Sequence, residues 1–165
     1  MDRFRKFTIP LFFLVLFSAG IIFYKIQSYV PGEVGEWESV DLICEERENG
    51  WKTYLPGIDV YTFLLEEDVY IIGGAEGLFF IDPQKDEARH AQGLRYVFAL
   101  LREDEDLYIG YDGGLIIQNQ EKKEQVKSLE GEMVRYLYST EEGIWAGTFH
   151  GAYRSDGLCW NKDTG

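Results

Sequence analysis

Three stretches decide the fold: Tyr70-Ile71-Ile72-Gly73-Gly74-Ala75-Glu76-Gly77-Leu78-Phe79, Leu107-Tyr108-Ile109-Gly110-Tyr111-Asp112-Gly113-Gly114-Leu115 and Gly143-Ile144-Trp145-Ala146-Gly147-Thr148-Phe149-His150-Gly151-Ala152-Tyr153-Arg154. Aligned, they share two glycine columns, Gly73, Gly110 and Gly147, and Gly77, Gly114 and Gly151, each at an interval of 37 residues. A third column, Val60, Val97 and Val134, keeps that interval. Three columns in step over three copies, without an insertion, mark an internal repeat in which one supersecondary unit stacks on the next.

Within each copy the hydrophobic pattern names the elements. Residues 60–65, 97–101 and 134–138 are β-branched and aromatic runs that read as a first strand. An acidic cluster follows: Glu66-Glu67-Asp68, Glu103-Asp104-Glu105-Asp106 and Glu141-Glu142-Gly143. Short runs apolar on both faces, 69–72, 107–109 and 144–146, read as second strands sandwiched between neighbouring sheets. The Gly-x-x-x-Gly turn leads into third strands at 78–81, 115–117 and 152–154, and a more polar fourth, edge strand is expected near 88–91 and 125–129. Paired glycines and β-branched runs would interrupt a helical repeat.

Four short antiparallel strands in 37 residues have the size of one propeller blade, and blades stack by burying their apolar middle strands. The fold expected is therefore all-β, a partial β-propeller of three four-stranded antiparallel blades near 60–96, 97–133 and 134–165, within a body spanning 37–165. Propellers need about four to eight blades to close a ring, so the expectation is the beginning of a longer protein or a chain that borrows blades from a partner.

The third copy, Trp145-Ala146-Gly147-Thr148 followed by Gly151-Ala152-Tyr153, resembles the two-component-regulator propeller repeat, whose signature is Trp-x-Gly-Thr and then Gly-Leu-Tyr. The second copy has Tyr108 in the tryptophan column and the first has Ile71. Trp51-Lys52-Thr53-Tyr54-Leu55-Pro56-Gly57 resembles the outer strand and loop that end a preceding blade, and Gly157-Leu158-Cys159-Trp160 the start of another outer strand. The resemblance covers roughly residues 51–160. It implies an extracytoplasmic sensor region joined through the membrane to a cytoplasmic histidine kinase, response regulator or nucleotide cyclase. None of those output parts lies in these 165 residues.

Residues 7–24 carry no charge, and 18 residues at about 1.5 Å each nearly span a bilayer core. With Arg3, Arg5 and Lys6 in front and Tyr24, Lys25 and Tyr29 behind, residues 1–30 read as a cytoplasmic tip and single-pass transmembrane anchor that sends the rest to the periplasm or the cell exterior. A cleaved signal peptide cut near Ser18-Ala19-Gly20 is the alternative. Residues 31–36, with Pro31, Gly32 and Gly35, read as a linker. After residue 25 the chain holds 12 Lys+Arg against 28 Asp+Glu, a net of -16, which repels phosphate backbones and excludes nucleic acid as a partner. Cys44 and Cys159 have no metal-binding or redox spacing; they read as two partly buried thiols or, in an oxidising compartment, as a disulfide.

No hydrolase elbow, phosphate-binding loop or zinc-protease motif is present, so no catalytic residue, metal or cofactor is assigned to this chain. The acidic clusters read as solvated hairpin tips. Asp82, Gln84 and Asp86 mimic the opening of a calcium loop, but Glu87 stands where glycine is needed. Trp145, Tyr108 and Tyr153 read as core, and His90, beside Arg89, as surface. The candidate ligand-binding residues are Glu76, Tyr111, Asp112 and His150, in turns expected to rim the central channel. The expected function is ligand sensing for a membrane-anchored signal-transduction protein, taking a small-molecule or protein ligand, with a homodimer as a further possibility. The rival readings are an exported structural or protein-interaction propeller and a propeller enzyme with a polar site shared by several blades.

Overall fold

The computed structural model describes residues 37–46, 48–120, 122–155 and 160–162. The expected anchor, the linker and Cys159 lie outside the described residues. Among the described residues every regular element but one is a strand. Ahead of the repeats come β1 (Trp37–Val40), β2 (Cys44–Glu46) and β3 (Lys52–Tyr54). The first copy then forms β4 (Val60–Glu66), β5 (Val69–Gly74), β6 (Gly77–Asp82) and β7 (Glu87–Ala91). The second forms β8 (Ala99–Glu103), β9 (Asp106–Tyr111), β10 (Gly114–Gln118) and β11 (Lys123–Gln125), and the third β12 (Val134–Thr140), β13 (Gly143–Thr148), β14 (Gly151–Ser155) and β15 (Trp160–Lys162).

Each copy is an antiparallel meander in which consecutive strands are neighbours. Register confirms that the copies are equivalent: Gly73 faces Leu78, Gly110 faces Leu115 and Gly147 faces Ala152. Two further pieces complete the all-β body. β1 pairs outside β7 to give the first sheet a fifth strand, while β2 and β3 form a separate two-stranded sheet.

The sheets pack face against face. One core joins Ile71, Leu78 and Phe80 of the first sheet to Leu100, Leu107, Ile109 and Ile116 of the second. Another joins Leu101, Tyr108 and Ile117 of the second to Ile144, Ala146, Tyr153 and Trp160 of the third. The opposite face of the first sheet, with Phe79, Ile81 and Ala88, is covered by Leu55 and by Val40, Leu42 and Tyr54 around the small hairpin. Alternate residues of one strand thus serve two different cores, which is why the second and third strands read as continuously apolar.

The repeat columns owe their constancy to this stacking. A Cβ on Gly73 would lie 2.6 Å from Val97 Cγ1, and one on Gly110 2.8 Å from Val134 Cγ1 and 2.9 Å from the Val134 carbonyl oxygen. Gly73 and Gly110 thus make room for the valine of the following copy, whereas Gly147 packs against Tyr136 of its own copy. Val97 and Val134 are 0% exposed, whereas Val60, with no full sheet ahead of it, is 49% exposed. The second glycine column has another cause: Gly77, Gly114 and Gly151 take φ of +123°, +138° and +133°, a backbone region costly for residues with a Cβ.

Several sequence expectations need correction. The fourth strand of the second copy is Lys123–Gln125, not 125–129, because Lys127–Leu129 coil into a 3-10 turn that sinks Val126 and Leu129 into the core between the second and third sheets. β7 is not an edge, since β1 covers it. Cys44 is a free, exposed thiol rather than a partly buried one, because its short strand lies on the surface hairpin. The acidic clusters do fall on the tight turns at 67–68, 104–105 and 141–142. Glu66 is more than a hairpin tip: its carboxylate accepts from Arg102 Nε at 2.6 Å and Nη2 at 3.0 Å, a two-point ion pair between the first strands of adjacent sheets.

The contrast within one column gives a direct test. Val134→Ala should cost about 2 kcal/mol as a buried truncation, and Gly110→Ala about 1–3 kcal/mol through overpacking. Val60→Ala should cost under about 0.5 kcal/mol. Urea unfolding of the three variants measures the differences; equal losses at Val60 and Val134 would disprove the stacking assignment.

Candidate functional site

The turns between second and third strands lie at the same end of all three sheets, and each is held from outside by its own sheet. His90 and Gln125 occupy equivalent positions on the fourth strands, opposite Phe79 and Ile116, which are 37 residues apart. His90 stacks on Phe79 with ring centroids 4.5 Å apart, and its Nε2 lies 2.9 Å from the Glu76 carbonyl oxygen. His90 is therefore a half-buried turn clamp and not a plain surface residue. Gln125 Nε2 donates to the Tyr111 hydroxyl at 3.1 Å and to the Gly113 carbonyl at 3.4 Å. In the third sheet Lys162, opposite Tyr153, runs beside Gly151.

These clamps fix where the four candidate residues sit. Glu76 and Asp112 are exposed on their turns. Tyr111 ends β9 with its ring folded over Gly113, and burial, followed by the nearby charges of Asp112 and Glu130, pushes its phenol above the ordinary range. His150 is exposed, and its Nδ1 lies 2.8 Å from Glu132 Oε2. Tyr153 donates to the other Glu132 oxygen at 3.3 Å. The His150 hydrogen bond, opposed by partial desolvation and helped by Thr148 and Tyr153, holds the Glu132 carboxyl below the usual range. The structure places all four candidates at or beside these turns; Tyr111 and Asp112 are chain neighbours, and no side-chain hydrogen bond links any two of the four.

A second set of rim residues comes from the column one position after the valines: Tyr61, Phe98 and Arg135. The strand register slips at Tyr61 and at Arg135, and Phe98 stands just ahead of β8. A bulge breaks the strict alternation of a strand and re-aims one side chain. Here it aims the same column at the rim. Tyr61 stacks on Phe98 at 5.1 Å, Tyr96 lies parallel to Phe98 at 6.4 Å, and the Arg135 guanidinium sits 5.5 Å from the Phe98 ring and 5.2 Å from that of Phe149. Arg95 lies 5.5 Å over Tyr96. The result is a continuous ladder of rings and guanidinium groups across the three sheets, largely open to solvent: Phe149 is 66% exposed and Tyr61 44%. Sequence reasoning missed it by reading the turns and not the strand entries, although the next column of the repeat held the signal.

The other candidate chemistry resolves into structure. Asp82 is buried and accepts from the backbone of Gln84 and Lys85, each at 3.1 Å, and from Lys85 Nζ at 2.7 Å. This staples the turn between β6 and β7 and leaves no open carboxylate for calcium. Tyr108 and Tyr153 join the core between the second and third sheets, whereas Trp145 is half-buried on the opposite face, beneath Arg154 at 5.4 Å. Among the described residues no three His, Cys, Asp or Glu side chains gather so as to hold a metal.

Asp82 makes stability depend on pH with a defined sign. Desolvation raises its pKa, but the Lys85 ammonium and the two backbone donors outweigh this and lower it from the ordinary 3.8. A lowered carboxyl contributes stability that is complete above pH 3.8 and fades as pH falls through the depressed value. Asp82→Asn should flatten that acid-side fall, and Asp82→Ala should cost a further ~1 kcal/mol through loss of the turn acceptor. Thermal melts between pH 2.5 and 7 read both; an unchanged acid slope in Asp82→Asn would refute the assignment. Comparison with family models, with curated proteins and with solved structures gives no match for this chain.

Proposed function

We propose that this chain is the ligand-receiving portion of a membrane-anchored signalling protein, built as part of a β-propeller whose body lies outside the cytoplasm. The observation that carries the reading is the rim itself. Three equivalent sheets present their second turns and their strand entries, bulged in the first and third, on one side, the geometry in which repeat proteins gather binding residues from several copies. The resemblance of the third copy to the two-component-regulator repeat supports a sensory role, and the charge-free run at 7–24 behind Arg3, Arg5 and Lys6 supports the anchor and its orientation. Among the described residues no helix is long and apolar enough to cross a membrane.

Sensing in this arrangement works by differential contact. A ligand that touches residues of two neighbouring sheets favours one spacing of those sheets over another, and that bias passes to whatever is joined to the body. A second reading, a protein-interaction module, is favoured by one feature: the outward face of the third sheet leaves Tyr136 and Tyr138 about 70% exposed.

Topology is the first test. The full chain carrying alkaline phosphatase after Lys162 should be active in cells, and the same fusion to green fluorescent protein, exported unfolded, should stay dark. A fluorescent fusion with inactive phosphatase would overturn the exported-sensor reading. If the interaction reading holds instead, the full chain in detergent should run as a defined oligomer that Tyr136→Lys with Tyr138→Lys dissociates.

A further inference from the structure

The rim ladder has a composition that the rest of the body lacks. Past residue 25 the chain carries 28 acidic against 12 basic residues, and five of the described arginines and lysines reach a carboxylate. Of the described basic residues with no carboxylate in salt-bridge reach, Arg95 and Arg135 are the two whose guanidinium groups lie over aromatic rings. A guanidinium that stacks through its face keeps its N–H edge free, and that edge matches the two oxygens of a carboxylate. Beside it Tyr61, Tyr96 and Phe98 offer an apolar surface of near-parallel rings. A solvent-open guanidinium stacked on rings, next to the exposed rings of Tyr61 and Phe149, asks for a ligand with an anionic end and a flat apolar body.

We infer that the Tyr61–Phe98–Arg135–Phe149 ladder is a binding site for a carboxylate carried next to an aromatic ring, with Arg135 pairing with the carboxylate and Phe98 and Tyr61 stacking against the ring. Charge complementarity selects the ligand class twice. The acidic body repels anions in general, which suppresses non-specific binding, and the two stacked guanidinium groups are the local exception. Glu132 is turned to other partners, its two oxygens being held by His150 and Tyr153 and neither by a guanidinium. One guanidinium fork at Arg135 pairs with one carboxylate, so the ligand class is a monocarboxylate. The inference deepens the sensory reading and rests on it only for the claim that occupancy carries a signal.

The test uses the full chain in detergent micelles and four probes followed by calorimetry or ligand-observed NMR. Phenylacetate represents a free aromatic acid and Gly-Gly-Phe the terminal carboxylate of a peptide; acetate lacks the ring and 2-phenylethylamine reverses the charge. Phenylacetate, with about ten heavy atoms, should bind near ~1 mM. Acetate and 2-phenylethylamine should bind at least ~10-fold more weakly, since each lacks one of the two contacts. Tighter binding of Gly-Gly-Phe than of phenylacetate identifies a peptide source, and the reverse a free acid; either order supports the site. Arg135→Gln should weaken binding about 10-fold, and Arg135→Lys, which keeps the charge but loses the planar fork, about 3-fold. Phe98→Leu should lose about 5-fold while Asp112→Asn tightens binding or leaves it unchanged. Each variant is compared only after its circular dichroism matches the parent. Equal binding of acetate and phenylacetate, no saturation by about 10 mM, or an unaltered Arg135→Gln would overturn the site. Any of these with an active phosphatase fusion would remove the ligand class and leave the exported-sensor reading standing; binding with a cytoplasmic body would do the opposite.

Discussion

The close approach of a glycine in one sheet to a valine in the next is the contact on which the remaining structure depends. At Gly73 against Val97 and at Gly110 against Val134 the missing side chain lets the following copy's backbone come within van der Waals reach. That spacing lets the apolar faces on either side mesh into dry cores, and burial of those faces is the main favourable term holding the sheets together. A methyl group at either glycine would hold the sheets apart and loosen every contact behind it.

The same stacking explains why the functional rim is where it is. Because the sheets are equivalent, any residue type at a given column is delivered to the same place three times; bulges at the entries of the first and third sheets, and the position of Phe98 ahead of β8, take one column out of the pleat. Evolution of a binding surface on such a scaffold needs changes in a column and no new backbone. The column here reads Tyr61, Phe98, Arg135, and the clamps from His90 and Gln125 hold the adjoining turns against it.

Much of this was legible in the sequence because the repeat is strict. The glycine and valine columns placed eleven strands; the first strand of the second copy starts two residues later than expected, and its fourth strand was displaced, since Val126 and Leu129 satisfy burial from a 3-10 turn as well as a strand would. β1 was not foreseen: a strand that joins the sheet from 50 residues away leaves no local signature of its partner. For the rim, Glu76, Tyr111, Asp112 and His150 were located on their turns, but their partners were hidden. Glu132 reaches His150 across 18 residues and His90 reaches Glu76 across 14, distances that no spacing rule encodes.

The ends of the stack are not alike. The second sheet is gripped on both faces, the first is roofed by the small hairpin, and among the described residues nothing covers Tyr136 and Tyr138 on the far face of the third. In a linear array each unit is as firm as its neighbours make it, so breathing starts at the bare end and dies away toward the middle. Phe98 stands at the entry of the sheet gripped on both faces and Arg135 on the sheet whose far face is open among the described residues. Anything that bridges the two splints the frayed end to the rigid centre, and the loss of that motion is itself a message the rest of the protein can feel.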